Sequence, residues 1–310
     1  MCTCVSFLNQ HQQLYFGRNL DVSSSYGETV MITPRNYNFP FKHLPNIQTT
    51  KAIIGMGICD KTYPLYFDAA NENGLCIANL NFPTFAYYHP HPIPNKINLT
   101  SYEFMMWVLQ NFDTVAQLLP ILQDVVFIDT PLHNQMPTVP AHWMISDAHQ
   151  TIVVEPTKQG IKIYNNPVNV LTNNPSFDWH LMNLHQYVGI QPNSKDSINW
   201  NDYTLKPLGV GTGSFALPGD YTPQSRFIKA SYVNTHYPTV ESEEENIYRM
   251  FTTLAQVSMP LGCVQDEISV YSSCYSTKTK TYYYQRCHQP ILQQITLDER
   301  WIHYPTIKLF

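Results

Sequence analysis

The chain has 310 residues, of which 44% are hydrophobic and only 13% are charged, so it can bury a large core and is not a disordered segment. A net charge of −5, with no run of Lys or Arg, gives no electrostatic surface for nucleic acid. No stretch approaches about 18 consecutive apolar residues, so no membrane-spanning helix is expected.

The first 80 residues predict short strands separated by turns. Apolar and polar residues alternate with the period of a half-buried strand. Asn73-Gly74 predicts a two-residue hairpin turn, because both residues tolerate a positive φ. The predicted strands are Cys2–Phe7, Thr29–Thr33, Ile53–Gly57, Leu65–Ala69 and Leu75–Leu80.

The middle of the chain mixes helices with strands. A helix is predicted over Tyr102–Asn111, and Thr100 and Glu103 before it have the spacing of a capping box. The remaining predicted elements of this region are a helix from Asp113, strands over Ala141–Ser146, Thr151–Glu155 and Ile161–Tyr164, and a helix over Phe177–Tyr187.

The last third begins with an irregular segment, Gly189–Gly219, that is rich in Asn, Pro and Gly. A loop of this length inside a compact domain is usually functional or part of an interface. Strands, then helices, then strands again, without repeats or a linker, predict one layered α+β domain over residues 1–310. The predicted elements after this segment are helices over Gln224–His236 and Glu243–Ser258 and strands over Ile268–Ser273, Lys280–Gln285 and Ile291–Thr296.

Familiar metal, cofactor and serine-hydrolase motifs do not occur in the sequence. There is no G-x-S-x-G, H-E-x-x-H or Walker motif, and Cys2-x-Cys4 is too short for a structural zinc site. We therefore expect neither a metal nor a cofactor. The seven cysteines are odd in number and scattered, and no basic or apolar leader is evident, so a cytoplasmic location is expected.

Cys2 is the remaining candidate for chemistry. Methionine aminopeptidase would be expected to remove Met1 before so small a side chain, which leaves a thiol and a free α-amine on one residue. Such an amine can accept the thiol proton without a histidine. Taken alone, a cysteine at this position is far more often an ordinary strand residue than a nucleophile.

A cation and a carboxylate lie close together in Gly17–Asp21, which follows a predicted strand. The carboxylate of Asp21 could hold an ammonium group, and Arg18 could favour thiolate over thiol. The alternative is a surface ion pair that contributes little to stability.

Several longer segments resemble, in the same order, the choloylglycine hydrolase family of bile salt hydrolases and penicillin V acylases. They extend over nearly the whole chain. The segments are Met1-Cys2-Thr3, Tyr15–Asp21, Ser25–Glu28, Tyr66–Glu72, Asn79–Pro83, Leu171–Pro175, Pro218–Asp220, Ser225–Phe227 and Tyr275–Tyr283.

The resemblance implies a four-layer αββα sandwich of the N-terminal nucleophile hydrolase type. It also implies a role for each matching residue. Cys2 would be the nucleophile, with Arg18 beside the thiol and Asp21 accepting hydrogen bonds from the α-amine. The side-chain amide of Asn173 and the backbone N–H of Asn81 would bind the oxyanion, and Arg226 would support the charge of the nucleophile.

The substrate implied by the family is a small-molecule N-acyl amide. Asn81 is typical of bile salt hydrolases, whereas penicillin V acylases usually have Tyr there. Glycine- or taurine-conjugated bile salts are therefore expected, with penicillin V or other N-acyl amides such as acyl homoserine lactones as the alternative. Leu20, Phe82 and Ala141 are expected to line the acyl pocket, and Ala141 replaces a bulkier residue common in bile salt hydrolases.

Three further expectations concern assembly and alternative classes. Gly189–Gly219 resembles the family's assembly insertion, which implies a homotetramer or homodimer. A papain-like enzyme would pair an internal cysteine with a histidine, but no C-G-S-C-W segment occurs. A non-catalytic protein that binds steroid or acyl ligands is the other alternative, although it would have no need of all six catalytic-type residues.

Overall fold

A computed structural model describes residues 1–310. The strands of the first half are β1 (Cys2–Leu8), β2 (Leu14–Val22), β3 (Thr29–Thr33), β4 (Asn38–Phe39), β5 (Ile47–Gln48), β6 (Ile53–Asp60), β7 (Tyr63–Asn71), β8 (Cys76–Asn81), β9 (Ile97–Leu99) and β10 (Val125–Phe127). Those of the second half are β11 (Ala141–Ser146), β12 (Thr151–Thr157), β13 (Gly160–Asn165), β14 (Val170–Leu171), β15 (Ile198–Trp200), β16 (Tyr203–Leu205), β17 (Ile268–Ser276), β18 (Thr281–Arg286), β19 (Gln289–Thr296) and β20 (Lys308–Leu309).

Six α-helices accompany these strands. They are α1 (Phe104–Asn111), α2 (Val115–Leu118), α3 (Phe177–Leu184), α4 (Pro223–His236), α5 (Glu243–Ala255) and α6 (Glu299–Ile302). Short 3₁₀ turns lie at Leu122–Asp124, His185–Tyr187 and Thr212–Ser214. None of the helices is both long enough and apolar enough to cross a bilayer.

Two antiparallel sheets stack face to face. One has six strands in the order β14-β1-β2-β17-β18-β19, and the other has eight in the order β13-β12-β11-β8-β7-β6-β3-β20. Their inner faces share one apolar core, to which Phe16 and Met144 contribute from opposite sheets. Helices α4 and α5 cover the outside of the first sheet, and α1 covers the second. The predicted α+β sandwich with αββα layers is confirmed.

The register of β1 against β2 determines which site residues share a face. Cys2 pairs with Leu20 and Cys4 with Arg18, so these side chains point towards the inner face of the six-stranded sheet. Thr3, Asn19 and Asp21 alternate with them and point towards the helices. Because both faces are covered, nearly every residue of β1 is buried whatever its polarity.

Three local predictions differ from the structure. Gly17–Asp21 lies inside β2 rather than after a strand, because β2 is buried on both faces and shows little alternation. Glu103 accepts from the Thr100 N–H at 2.9 Å, but the Thr100 hydroxyl makes no hydrogen bond, so the capping box is half formed. The segment Gly189–Gly219 is not wholly irregular, since it contains the β15–β16 hairpin.

Gly17 shows why the local sequence permits this packing. A Cβ atom at this position would lie 2.1 Å from the backbone oxygen of Ser273 on β17. Glycine therefore allows β2 and β17 to approach closely, immediately before Arg18.

Candidate active site

A cavity of about 450 Å³ opens beside Cys2 between the two sheets. Its wall is mostly apolar, and Leu20 and Ala141 line it as predicted. Phe82 is not among the residues that line it. The Phe82 ring is fully buried behind the wall and stacks on His142 with ring centroids 4.2 Å apart.

Arg18 holds the sulfur of Cys2 at the base of the cavity. Its Nη2 donates to the Cys2 Sγ at 2.6 Å, and both side chains are almost completely buried. Burial alone would lower the pKa of Arg18, but electrostatic attraction to surrounding groups, the Cys2 sulfur and the Asp68 carboxylate among them, outweighs it and raises that pKa. The guanidinium therefore stays charged beside the sulfur, where it stabilises a thiolate.

The position of Arg18 follows from the separation of β7 and β8. Their ladder ends at the Asp68–Ala78 pair. One residue further, Arg18 Nη1 donates to the backbone oxygens of Phe67 and Asn79, both at 2.7 Å. The side chain thus satisfies carbonyls that a continued ladder would have paired, and the gap becomes part of the cavity.

Asp68 lies behind Arg18 and was not assigned a role from the sequence. Its Oδ1 accepts from the Tyr271 hydroxyl at 2.5 Å, while Oδ2 accepts from Tyr282 at 2.6 Å and from Ser273 at 2.9 Å. Burial raises the pKa of Asp68, and the Arg18 charge and the three hydroxyl donors oppose this effect. The sign of such a role in the sequence is that Asp68 is the only acidic residue of the apolar strand β7.

The backbone nitrogen of Cys2 faces a different set of groups. It donates to Asn173 Oδ1 at 2.8 Å. Met1 continues the strand, and its ammonium group donates to the backbone oxygen of Asp21 and to Glu267 Oε2, the latter at 2.7 Å. Glu267 also lines the cavity and was missed in the sequence, where nothing connects it to Cys2.

Asp21 lies beside Arg226 and has one carboxylate oxygen without a hydrogen-bond donor. Oδ1 accepts from Ser269, whereas the fully buried Oδ2 has no hydrogen-bond donor and lies 3.7 Å from Arg226 Nη1. Burial raises the pKa of Asp21, and the positive charge of Arg226 opposes this increase. The unpaired carboxylate oxygen remains available to accept from a further donor.

Arg226 reaches Cys2 from α4 on the outer face of the sheet. Its Nη1 donates to the backbone oxygen of Cys2 and, at 2.6 Å, to Thr3 Oγ1. Nη2 donates to Asn173 Oδ1 at 2.8 Å. The side-chain oxygen of Asn173 thus accepts from both Cys2 and Arg226, whereas its side-chain nitrogen, Nδ2, makes neither of these contacts.

Asn81 and Asn173 are adjacent, as the oxyanion prediction requires. Asn173 Nδ2 donates one hydrogen to the Asn81 backbone oxygen at 2.7 Å and keeps a second hydrogen. Phe82 N donates to Pro140 O at the end of the β8–β11 ladder. In an antiparallel ladder only alternate residues bond to the neighbouring strand, so the N–H and C=O of Asn81 point away from β11. These groups therefore face the side of β8 where β7 has separated.

This arrangement suits nucleophilic attack on a carbonyl carbon. The sulfur lies beside a cation, and the nitrogen of the same residue donates to Asn173 Oδ1. The unpaired carboxylate oxygen of Asp21 lies beside Arg226, and the amide group of Asn173 is nearby. No histidine lines the cavity, so the structure shows no cysteine–histidine pair at Cys2. All six residues predicted for catalysis are brought together.

Comparison with known proteins agrees with this geometry. Residues 2–309 match the family described as linear amide C–N hydrolases, choloylglycine hydrolase family. The chain is 49% identical to a conjugated bile acid hydrolase of Lactobacillus gasseri over 91% of its length and 92% of that protein. It is 37% identical to a bile salt hydrolase/transferase of Bifidobacterium longum subsp. longum over 96% of both chains.

A solved structure has the same architecture. The crystal structure of a mutant conjugated bile acid hydrolase from Clostridium perfringens superposes with a TM-score of 0.93 at 33% identity. The superposition covers all of this chain and 96% of that one. The two stacked sheets with flanking helices are therefore the N-terminal nucleophile hydrolase fold.

Proposed function

Because the chain belongs to the choloylglycine hydrolase family of linear amide C–N hydrolases, we propose that it hydrolyses glycine- and taurine-conjugated bile salts through a thioester on Cys2. The observation that carries this proposal is the environment of Cys2. Its sulfur contacts Arg18 Nη2 at 2.6 Å, and its nitrogen contacts Asn173 Oδ1 at 2.8 Å. One residue is thus arranged to supply both nucleophile and base.

The first half of the reaction forms the acyl-enzyme. After Met1 has been removed, the α-amine of Cys2 accepts the thiol proton, and Arg18 stabilises the thiolate. The sulfur attacks the amide carbonyl carbon, and the oxyanion accepts from Asn81 N–H and the second hydrogen of Asn173 Nδ2. The α-ammonium group then donates its proton to the leaving nitrogen, and the C–N bond breaks.

The second half releases the acid. The α-amine takes a proton from water, and the resulting hydroxide attacks the thioester carbon. The C–S bond breaks, the sulfur regains the proton, and the carboxylic acid leaves. Asp21 holds the amine by accepting a hydrogen bond at its free Oδ2, and Arg226 balances the negative charge of that carboxylate.

The apolar cavity supports a bulky acyl group as the substrate. Leu20, Leu65 and Val139 are among the aliphatic side chains that line its volume of about 450 Å³. The named relatives act on conjugated bile acids. Asn81, in place of the Tyr typical of penicillin V acylases, favours bile salts over penicillin V and acyl homoserine lactones.

Assembly and location are part of the same proposal. Val188, Leu208 and Val210 in and beside the Gly189–Gly219 segment are more than nine-tenths exposed, which supports a homotetramer or homodimer. All seven cysteines are free, which supports the cytoplasm as the location of the protein.

The test is a substrate panel with the wild type, Cys2→Ala and Cys2→Ser. Glyco- and tauro-conjugated bile salts should be hydrolysed by the wild type faster than penicillin V or acyl homoserine lactones. Cys2→Ala should lose turnover completely, because no other thiol lines the cavity. Cys2→Ser keeps the α-amine and changes only the sulfur to oxygen, so it serves as the control for the role of the thiol. Wild-type turnover by Cys2→Ala would contradict the proposal, and binding without hydrolysis by the wild type would indicate a binding protein.

A further inference from the structure

Two buried histidines lie behind the active site, and the proposed chemistry does not use them. His142 on β11 and His180 on α3 are both fully buried. His142 Nε2 lies 2.9 Å from the backbone oxygen of Thr172, and His180 Nε2 lies 2.9 Å from that of Asn173. The two rings therefore contact consecutive carbonyls of the segment that carries one oxyanion group.

Each ring also packs against a residue that follows an active-site residue. His142 stacks on Phe82, next to Asn81, with centroids 4.2 Å apart and planes 8° from parallel. His180 stacks on Phe227, next to Arg226, with centroids 4.7 Å apart. His142 thus contacts the neighbours of both Asn81 and Asn173, although these residues belong to different parts of the chain.

The hydrogen-bond chemistry determines which ring atoms carry protons. A carbonyl oxygen can only accept, so Nε2 of both rings must be protonated. His142 Nδ1 lies 3.2 Å from Glu155 Oε1, and the same oxygen accepts from the Phe177 N–H at 2.9 Å. A proton shared between Nδ1 and Oε1 makes this contact a hydrogen bond, so Glu155 holds His142 in one orientation, and it also anchors the chain just after Asn173.

We propose that His142 and His180 are positioning residues that hold the two oxyanion groups, on Asn81 and Asn173, in register. The inference deepens the proposed amidase function and depends on it. Neither histidine contacts Cys2 or Arg18, so its effect is on the stabilisation of the oxyanion and not on the nucleophile. A displacement of a donor by about 1 Å can cost on the order of 100-fold in rate.

The test uses variants that keep or remove the Nε2 donor of His142. His142→Gln places an amide nitrogen near the position of Nε2 and can still donate to Thr172 O, whereas His142→Asn is too short. We expect His142→Asn to lower kcat about 10- to 100-fold with KM within about two-fold, and His142→Gln to recover most of it. The exposed His149→Asn is the matched control and should behave like the wild type.

Alkylation of Cys2 by iodoacetamide separates positioning from general damage. This reaction needs the thiolate but no oxyanion donor, so its rate should stay within about two-fold of wild type in His142→Asn. Where His142→Asn folds poorly, His180→Gln and His180→Asn provide the same comparison at the second carbonyl.

Three results would overturn the inference. They are kcat near wild type in both Asn variants, an equal loss in the Gln and Asn variants, and alkylation that slows in parallel with kcat. Each is distinct from failure of the proposed function, in which the wild type would not hydrolyse bile salts or Cys2→Ala would remain active.

Discussion

At the scale of single residues, Cys2 presents its two functional groups to two different layers of the protein. The sulfur points into the space between the sheets, where Arg18 contacts it at 2.6 Å. The main chain of the same residue meets Arg226 and Asn173, which approach from the helix side. One residue can therefore combine a stabilised thiolate with an amine whose surroundings are set separately.

A pH dependence of stability is expected from His180. Burial, the largest effect, lowers its pKa from the usual 6.5 to about 4, and the nearby charges of His142 and Arg226 act in the same direction. The unfolded chain binds a proton near pH 6.5, but the native state does so only near pH 4. The native state therefore loses stability as the pH falls through this window, by up to about 3 kcal/mol.

Urea unfolding of the wild type and His180→Gln at pH 7 and pH 4.5 would measure this contribution. The variant has no imidazole to titrate, so its loss between the two pH values should be smaller than that of the wild type. Asp21 and Asp68, whose pKa values are raised, act in the opposite direction and are present in both proteins. An equal loss in the two proteins would contradict the prediction.

At the scale of secondary-structure elements, the two sheets are joined through a polar group in an apolar core. Asp68 belongs to β7 in the eight-stranded sheet, whereas Tyr271 and Ser273 belong to β17 and Tyr282 to β18 in the other. These hydroxyl groups satisfy both carboxylate oxygens. The same carboxylate lies near Arg18, so the junction of the sheets also supports the nucleophile.

Replacement of Asp68 should therefore destabilise the protein strongly. Asp68→Asn removes a buried charge that faces Arg18, and a loss of about 3–5 kcal/mol in the free energy of unfolding is expected. Tyr282→Phe is the milder control, because it removes one hydroxyl donor and should cost about 1.5–3 kcal/mol. Denaturant titration measures both. A loss below that of Tyr282→Phe would show that Asp68 is not the central acceptor.

Sequence patterns predicted best those elements whose hydrophobic residues recur with a regular period. The hairpin of β11 and β12 and helices α4 and α5 fall close to their predicted bounds. Strand β2 was not among the predicted strands, because both of its faces are buried and its polar residues Arg18, Asn19 and Asp21 interrupt the alternation. Here tertiary contacts determine the structure more than local pattern does.

The same distinction applies to the site. The six residues predicted for catalysis were identified through family-like motifs, whereas Asp68, Glu267, His142 and Glu155 received no role. Each of these four acts through a partner elsewhere in the chain, as Glu155 does with Phe177 and Asp68 does with Tyr282. Only the folded arrangement of strands reveals such pairs.

At the scale of the whole molecule, an apolar surface remains outside the two-sheet core. In the Gly189–Gly219 segment, Trp200, Leu208 and Phe215 are 68%, 102% and 80% exposed. Large apolar side chains at this level of exposure, close together in sequence, are typical of surfaces that bind a partner. The proposed homo-oligomer would cover them.

Charged substitutions should separate the subunits. In static light scattering, the wild type is expected to give the mass of a tetramer or dimer, and the triple variant Trp200→Glu, Leu208→Lys, Phe215→Glu that of a monomer. Asn193→Glu with Ser194→Lys changes exposed polar residues of the same segment and should leave the assembly intact. A monomeric wild type at every concentration would contradict this part of the proposal.

The central claim is that the working enzyme begins with Cys2, whose thiol and α-amine act together. Intact-mass spectrometry of purified, active protein tests it most directly, with turnover measured on the same sample. We predict the mass of the chain without its Met1 residue, and activity in proportion to that species. Full activity in protein whose mass still includes Met1 would show that the amine of Cys2 is not the base.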